Sequence, residues 1–326
     1  MKNSVKVLVG LLIAPLIYSC AHQAPPTSNH YIYSFENPSL LSAKDSTQII
    51  QKFLGKRDVG DLYKSNENTV YFVSKEEVSE TLEHDLNTGN FTFNKSMRKY
   101  KGDFVPKLPA SQEAIMLAQK FLEQNGMRPK VNDELKIAHI GGVRASSVID
   151  GKKPGPVIDK LVTVTYGRAI GNLPVIGPGS KIVVKLGDSG EVMGAIHRWR
   201  EINPSSKKLV PPEEIISSKE AEEMAKRQIM AEYGGNTAYR ILGSGEAYYD
   251  NNGRLLQPVY TFEVSISMQD KRVKPFNYLC VIPMLKNSPE PLNLTAVDPK
   301  AKTLLKSIKR GETAPNENTG EKSTSD

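Results

Sequence analysis

The sequence predicts an α+β fold of tandem units, each a helix packed on a twisted antiparallel β-sheet. A capped amphipathic helix ending in glycine recurs along the chain, with starts near residues 46, 111 and 218. Strands follow each helix, separated by turn residues at Asn87-Thr88-Gly89, Gly187-Asp188-Ser189-Gly190 and Asp250-Asn251-Asn252-Gly253. Tyr260, Phe262, Val264, Ile266 and Met268 alternate with Thr261, Glu263, Ser265 and Ser267, the period of a strand with one buried and one solvated face. Such a sheet is covered on one side only. Parallel sheets bury both faces and read as continuous apolar runs, so a doubly wound fold is disfavoured.

The first residues carry an address. Lys2 and Lys6 give a basic start, Val5 to Ile17 is apolar apart from Lys6, and Ile17-Tyr18-Ser19-Cys20 follows. The run is far short of the ~20 residues that cross a bilayer and ends in a small residue, which reads as a secretory signal. Ser19-Cys20 resembles the lipobox of bacterial lipoproteins, although Tyr18 stands where that pattern has a small residue. The resemblance implies that Cys20 carries lipid, palmitate included, and becomes the new N-terminus of a membrane-anchored protein. Ala21 after it, rather than Asp, implies the outer membrane in a Gram-negative cell. The alternative is an ordinary signal peptide with an incidental cysteine.

The expected organisation is a signal at 1–19, a polar tether at 20–34 with Pro25-Pro26, and α+β units at 35–104, 105–204 and 205–286. A linker, a short basic helix and a disordered tail follow at 287–326. The first helix starts near Asp45 or Ser46, turns Ile49, Ile50, Phe53 and Leu54 to one side, and stops at Gly55. The second starts at Ser111, with Ala114, Leu117, Ala118, Phe121 and Leu122 as its seam and Asn125-Gly126 as its stop. The third opens on a capping box from Ser217 to Glu220, buries Ala221, Met224, Ala225 and Ile229, and ends at Gly234-Gly235. Helices of this length are marginal alone, so each needs a sheet to cover its stripe. Val162 to Tyr166 and Lys181 to Leu186 read as strands.

Leu108 to Ala114 opening a helix, Leu173 to Gly179 leading into a strand and hairpin, and Ser217 to Ala221 repeating the helix opening together resemble the PepSY-like superfamily. The resemblance covers about residues 105–285 and implies helix-on-sheet modules that modulate another envelope protein, such as a peptidase, a sensor or an assembly factor. In the C-terminal stretch, Asp298-Pro299 caps a candidate helix carrying Lys300, Lys302, Lys306, Lys309 and Arg310, which either docks on its own domain or meets an anionic membrane.

Loss of the segment before Cys20 leaves a net charge of 41 − 36 = +5, with both signs mixed, so nucleic acid is not an expected partner. With Cys20 lipidated, Cys280 has no partner in the chain and behaves as a small hydrophobe in Tyr278 to Ile282. No cofactor, metal or catalytic residue is expected. The histidines lack metal-ligand spacing, and no Gly-x-Ser-x-Gly elbow is present. Ser96 to Lys99 and Ser205 to Lys208 match Ser-x-x-Lys only as common residues in charged or polar runs, and Gly177-Pro178-Gly179 reads as a turn. Trp199, Arg198 and Arg200 are the candidate interface, since Trp and Arg concentrate at binding hot spots; the competing reading has Trp199 capping a core. Strand alternation places His197 and Trp199 on one face and both arginines on the other. The functional expectation is therefore a non-catalytic, lipid-anchored envelope protein that binds another envelope protein. The alternative is an envelope hydrolase with a dispersed site.

Overall fold

The computed structural model describes residues 29–36, 41–55, 68–148, 155–269, 272–290 and 292, with the backbone of Lys6–Leu8 and Leu62–Asn66. In chain order the elements are β1 (Lys6–Leu8), β2 (Tyr31–Ser34), α1 (Ala43–Leu54), β3 (Leu62–Asn66), β4 (Thr69–Val73), β5 (Thr81–Asp85), β6 (Phe91–Asn94) and α2 (Ser111–Gln124). Then come β7 (Leu135–Val148), β8 (Ile158–Ile170), β9 (Leu173–Ile176), β10 (Lys181–Leu186), β11 (Val192–Arg198), β12 (Lys208–Leu209), α3 (Ser218–Tyr233), β13 (Ala238–Tyr249), β14 (Leu255–Ser267) and β15 (Phe276–Pro283).

The helices start and stop for local reasons. Asp45 accepts hydrogen bonds from the Ser42 backbone N–H at 2.7 Å and the Ser42 hydroxyl at 2.8 Å, and Gly55 takes a left-handed φ of 67° that ends α1. In α3 the Ser217 hydroxyl oxygen accepts from the Glu220 N–H at 3.1 Å.

The tandem architecture is not what these elements build. The strands join into one hydrogen-bonded network of 15, running β12-β2-β14-β13-β9-β8-β10-β11-β6-β5-β4-β3, with β7 and β15 on β8 and β14 and β1 on β7. The network is mixed, since β9 and β13 pair in parallel. Two features overturn the expectation of one helix per sheet. Phe91 to Asn94 of β6 pair with Gly194 to His197 of β11, so strands remote in sequence are neighbours in one sheet. Ile50 of α1 and Ala114, Ala118 and Leu122 of α2 lie in a single core with Phe72, Leu82, Phe93, Val164, Ile182 and Val184. The physical reason is that alternation identifies a strand's buried face but not the strand it bonds to. Helix α3 packs with Phe262, Val264, Ile266, Cys280 and Ile282 in a second core.

The expected tether is shorter than read. Tyr31–Ser34 pairs with β14 and β12, and Tyr33 and Phe35 bury with Tyr248 and Leu256, because the Tyr31, Tyr33, Phe35 alternation supplies an apolar edge. Cys20 and most of the signal segment lie outside the described residues, apart from Lys6–Leu8, which pairs antiparallel with Ser146 to Val148. Pro291–Asp326 forms a separate unit, and the expected basic helix there lies outside the described residues. Among the described residues no helix is long and apolar enough to cross a membrane.

Candidate functional site

Strand β11 ends at Arg198, and the side-chain alternation expected for 197–200 ends with it. Trp199 is 7 % exposed and belongs to the core of α1 and α2. Its ring faces the guanidinium of Arg168 at 4.1 Å. Arg168 is itself buried: it donates to the Ser180 hydroxyl at 3.1 Å and the Arg200 carbonyl at 2.6 Å, and its Nε lies 3.0 Å from Glu134. Arg200 donates to Asp250 at 3.0 Å and to the Gly253 carbonyl, and lies 3.8 Å from the Phe35 ring centre. The Ser180 hydroxyl completes the knot with a 2.6 Å bond to Asp250. Burial pushes the ionisation of both arginines down, opposed by Glu134 at Arg168 and by Asp250 at both.

Gly179 explains the Gly177-Pro178-Gly179 turn: a Cβ there would lie 2.3 Å from the Asp250 carboxylate, so only glycine lets the loop close on that acid. Trp199 is thus a core residue stacked on Arg168, and Arg200 connects the end of β11 to the β13–β14 hairpin. This corrects their candidacy as exposed anchors. Only Arg198 of the three stays on an open face.

That face is the side of the central sheet opposite α1 and α2. The register places Gly141, Thr163, Lys185, Gly194, Asn94 and Thr81 in one row across β7, β8, β10, β11, β6 and β5. His139, Thr165, Val183, Ile196, Thr92 and Glu83 form the next, and Lys136, Gly167, Lys181 and Arg198 a third. The intervening residues Val164, Ile182, Val184, Ala195 and Phe93 point into the core, which forces these rows outward. Tyr100, Phe104, Leu161 and Met193 cluster at one end.

Lys185 donates to Asn94 Oδ1 at 2.6 Å. Among the described residues Lys181, Lys185 and Arg198 have no carboxylate within ion-pair distance. Burial pushes the ammonium of Lys181 down, helped by Arg198 and opposed by Asp250, and burial alone does the same to Lys185. The signal was present in sequence: Lys181, Val183 and Lys185 alternate with Ile182, Val184 and Leu186, but alternation alone did not show that Arg198 lies beside Lys181.

The remaining chemistry is sealed or structural. Ser46 Oγ lies 2.9 Å from His84 Nδ1, a Ser–His contact that sequence reading missed because 38 residues separate the two. Both are buried, at 0 % and 2 % exposure, so no substrate reaches the pair, and burial pushes the His84 ring down. Cys280 is buried and its thiol is pushed up to about 12 by burial, the opposite of a reactive cysteine. Among the described residues no group of three or more His, Cys, Asp or Glu is placed to hold a metal. An open groove of about 810 Å³ lies between Val105, Pro106 and Leu108 on one wall and Pro156, Val157 and Ile158 on the other. The first wall is held by Lys160, which donates to the carbonyls of Gly102 at 2.8 Å and Phe104 at 2.6 Å.

No protein-family model matches the chain, and no curated protein is significantly similar to it. Among solved structures, one of an uncharacterized protein from Eubacterium rectale is similar at 9 % identity and a TM-score of 0.42, covering 81 % of this chain and 86 % of that one.

Proposed function

We propose that the chain is a lipid-anchored protein of the cell envelope that acts by binding another envelope protein through the open face of its central sheet. The supporting observation is the set of Lys181, Lys185 and Arg198, half-buried on that face without a carboxylate partner among the described residues. Desolvating a cation without a counter-charge costs free energy, and a partner's acidic groups would offset that cost. The anchor is the lipid on Cys20, with the outer membrane as its site in a Gram-negative cell. No nucleic acid and no cofactor enters this reading. A hydrolase reading finds its best pair in Ser46 and His84, which a substrate does not reach.

Site-specific photo-crosslinking in intact cells tests the proposal. A photoreactive residue at Ile196, on the open face, should give a discrete protein adduct, whereas one at exposed Gln119 on α2 should give none. Adducts from Gln119 alone, or from neither position, would contradict it.

A further inference from the structure

We propose that the open face recognises an extended acidic segment of the partner protein, with an acid-x-apolar-x-acid pattern whose two acids meet Lys185 at one end and the Lys181–Arg198 pair at the other. This rests on the binding reading above and names the chemistry of its partner.

Spacing along one strand carries the inference. Lys181 and Lys185 are four residues apart on β10, which is about 13 Å at the rise of a strand. An extended peptide lying along β10 has the same rise, so its residues i and i+4 reach the two positions together. Between them the face carries Val183 beside Ile196, and residue i+2 of the peptide falls there. The row is therefore cation, apolar, cation. Its complement is acid, apolar, acid.

The surroundings favour a peptide over a bare anion. Lys181 and Arg198 stand directly opposite each other on β10 and β11, a paired positive charge that a single carboxylate bridges. Asp250, the acid whose charge favours the Lys181 ammonium, is already engaged by Ser180 and Arg200. Glu83 lies on the Val183 row, three strand pairings away on β5. Gly167 flanks Lys181 with no side chain and leaves the sheet surface low there, while Lys185 reaches across buried Gly194 to Asn94. Thr163 and Thr165 add hydroxyls beside Lys185 and Val183. A membrane surface would instead require protruding cations, and Lys181, Lys185 and Arg198 are all half-buried.

The test uses the full chain in detergent and a labelled peptide, Thr-Glu-Thr-Val-Thr-Glu-Thr, read by fluorescence anisotropy at two salt concentrations. The expected result is saturable binding that weakens with salt. Replacing both glutamates by glutamine in the peptide, or making Lys185→Gln or Arg198→Gln in the protein, should weaken it at least about tenfold. Lys219→Gln on α3 should leave it unchanged. The peptide substitution needs no protein variant, so a variant that fails to fold does not leave the proposal untested. Equal binding of the glutamine peptide overturns it, as does competition by inorganic phosphate at the same concentration as peptide, or preferential binding to anionic vesicles. If acidic recognition fails while Ile196 still crosslinks a protein in cells, the binding reading stands and only its chemistry falls. Failure of both removes the reading itself.

Discussion

Asp250 is the residue on which the buried connections converge. It is 1 % exposed, pairs with Arg200, whose side chain is 10 % exposed, and accepts from Ser180. Removing one member of a buried pair leaves the other charged and desolvated, so Asp250→Ala should destabilise the fold by about 3–5 kcal/mol. The exposed pair of Lys130 and Glu36, at 68 % and 41 % exposure, supplies the contrast: Lys130→Ala should cost no more than about 1 kcal/mol. Denaturant titration of both variants checks this, and similar losses would mean that the Asp250 knot is not an energetic centre. Sequence reading found Asp250 only as the first residue of a hairpin. Its role needs Arg168, Ser180 and Arg200, which come from three separate stretches and meet only in the folded chain.

At the scale of elements, β11 carries a titratable group into the core. His197 stacks on Phe91 at 5.3 Å, and burial holds its ring down at about 4 against a hydrogen bond to the Met127 backbone. Well above pH 6.5 the ring is neutral in folded and unfolded chains alike, and it adds no pH dependence. As pH falls from 6.5 toward 4 the unfolded chain takes up a proton that the folded chain refuses, so stability drops, by roughly 3 kcal/mol for this group. His84 shifts in the same direction. The unfolding midpoint measured across that range should fall, and His197→Phe, which keeps the ring stack, should flatten the fall without abolishing it; an unchanged profile would contradict the assignment.

Strand β14 gives a second test. Phe262 is 2 % exposed under α3, so Phe262→Ala should cost about 3–5 kcal/mol, whereas Ser265→Ala on the other face should stay within about 0.5 kcal/mol. This alternation was legible in sequence, as were the stops of all three helices and the starts of α2 and α3, because caps and period-two patterns are local; α1 instead starts at Ala43, ahead of the expected Asp45 or Ser46, because Ser42 is its cap and Asp45 the third residue of its capping box. The pairing of β6 with β11 was not legible. It depends on a hydrogen-bond partner about 100 residues away, and nothing local distinguishes that partner from a nearer strand.

At the scale of the whole molecule, one continuous sheet stands where tandem units were expected, and the rows of the open face run across the boundary between the first two of them. Separate units would have split the rows that Lys185, Gly194 and Asn94 form across β10, β11 and β6, and only a continuous sheet assembles them. Of the residues singled out in sequence, Arg198 belongs to that face, while Trp199 and Arg200 hold the molecule together behind it. The anchor is a separate matter: Cys20→Ala should abolish fatty-acid labelling and membrane retention, and label persisting on that variant would remove lipid from the account.

The most direct test of the central claim, that the open face is covered by a partner in the envelope, is lysine footprinting by mass spectrometry. An amine-reactive probe is applied to intact envelopes and to the purified full chain, and Lys181 and Lys185 are compared with Lys219, which is exposed on α3. Lys181 and Lys185 should react in the purified chain and be protected in the envelope, while Lys219 should react equally in both. Equal labelling of all three lysines in both preparations would contradict it.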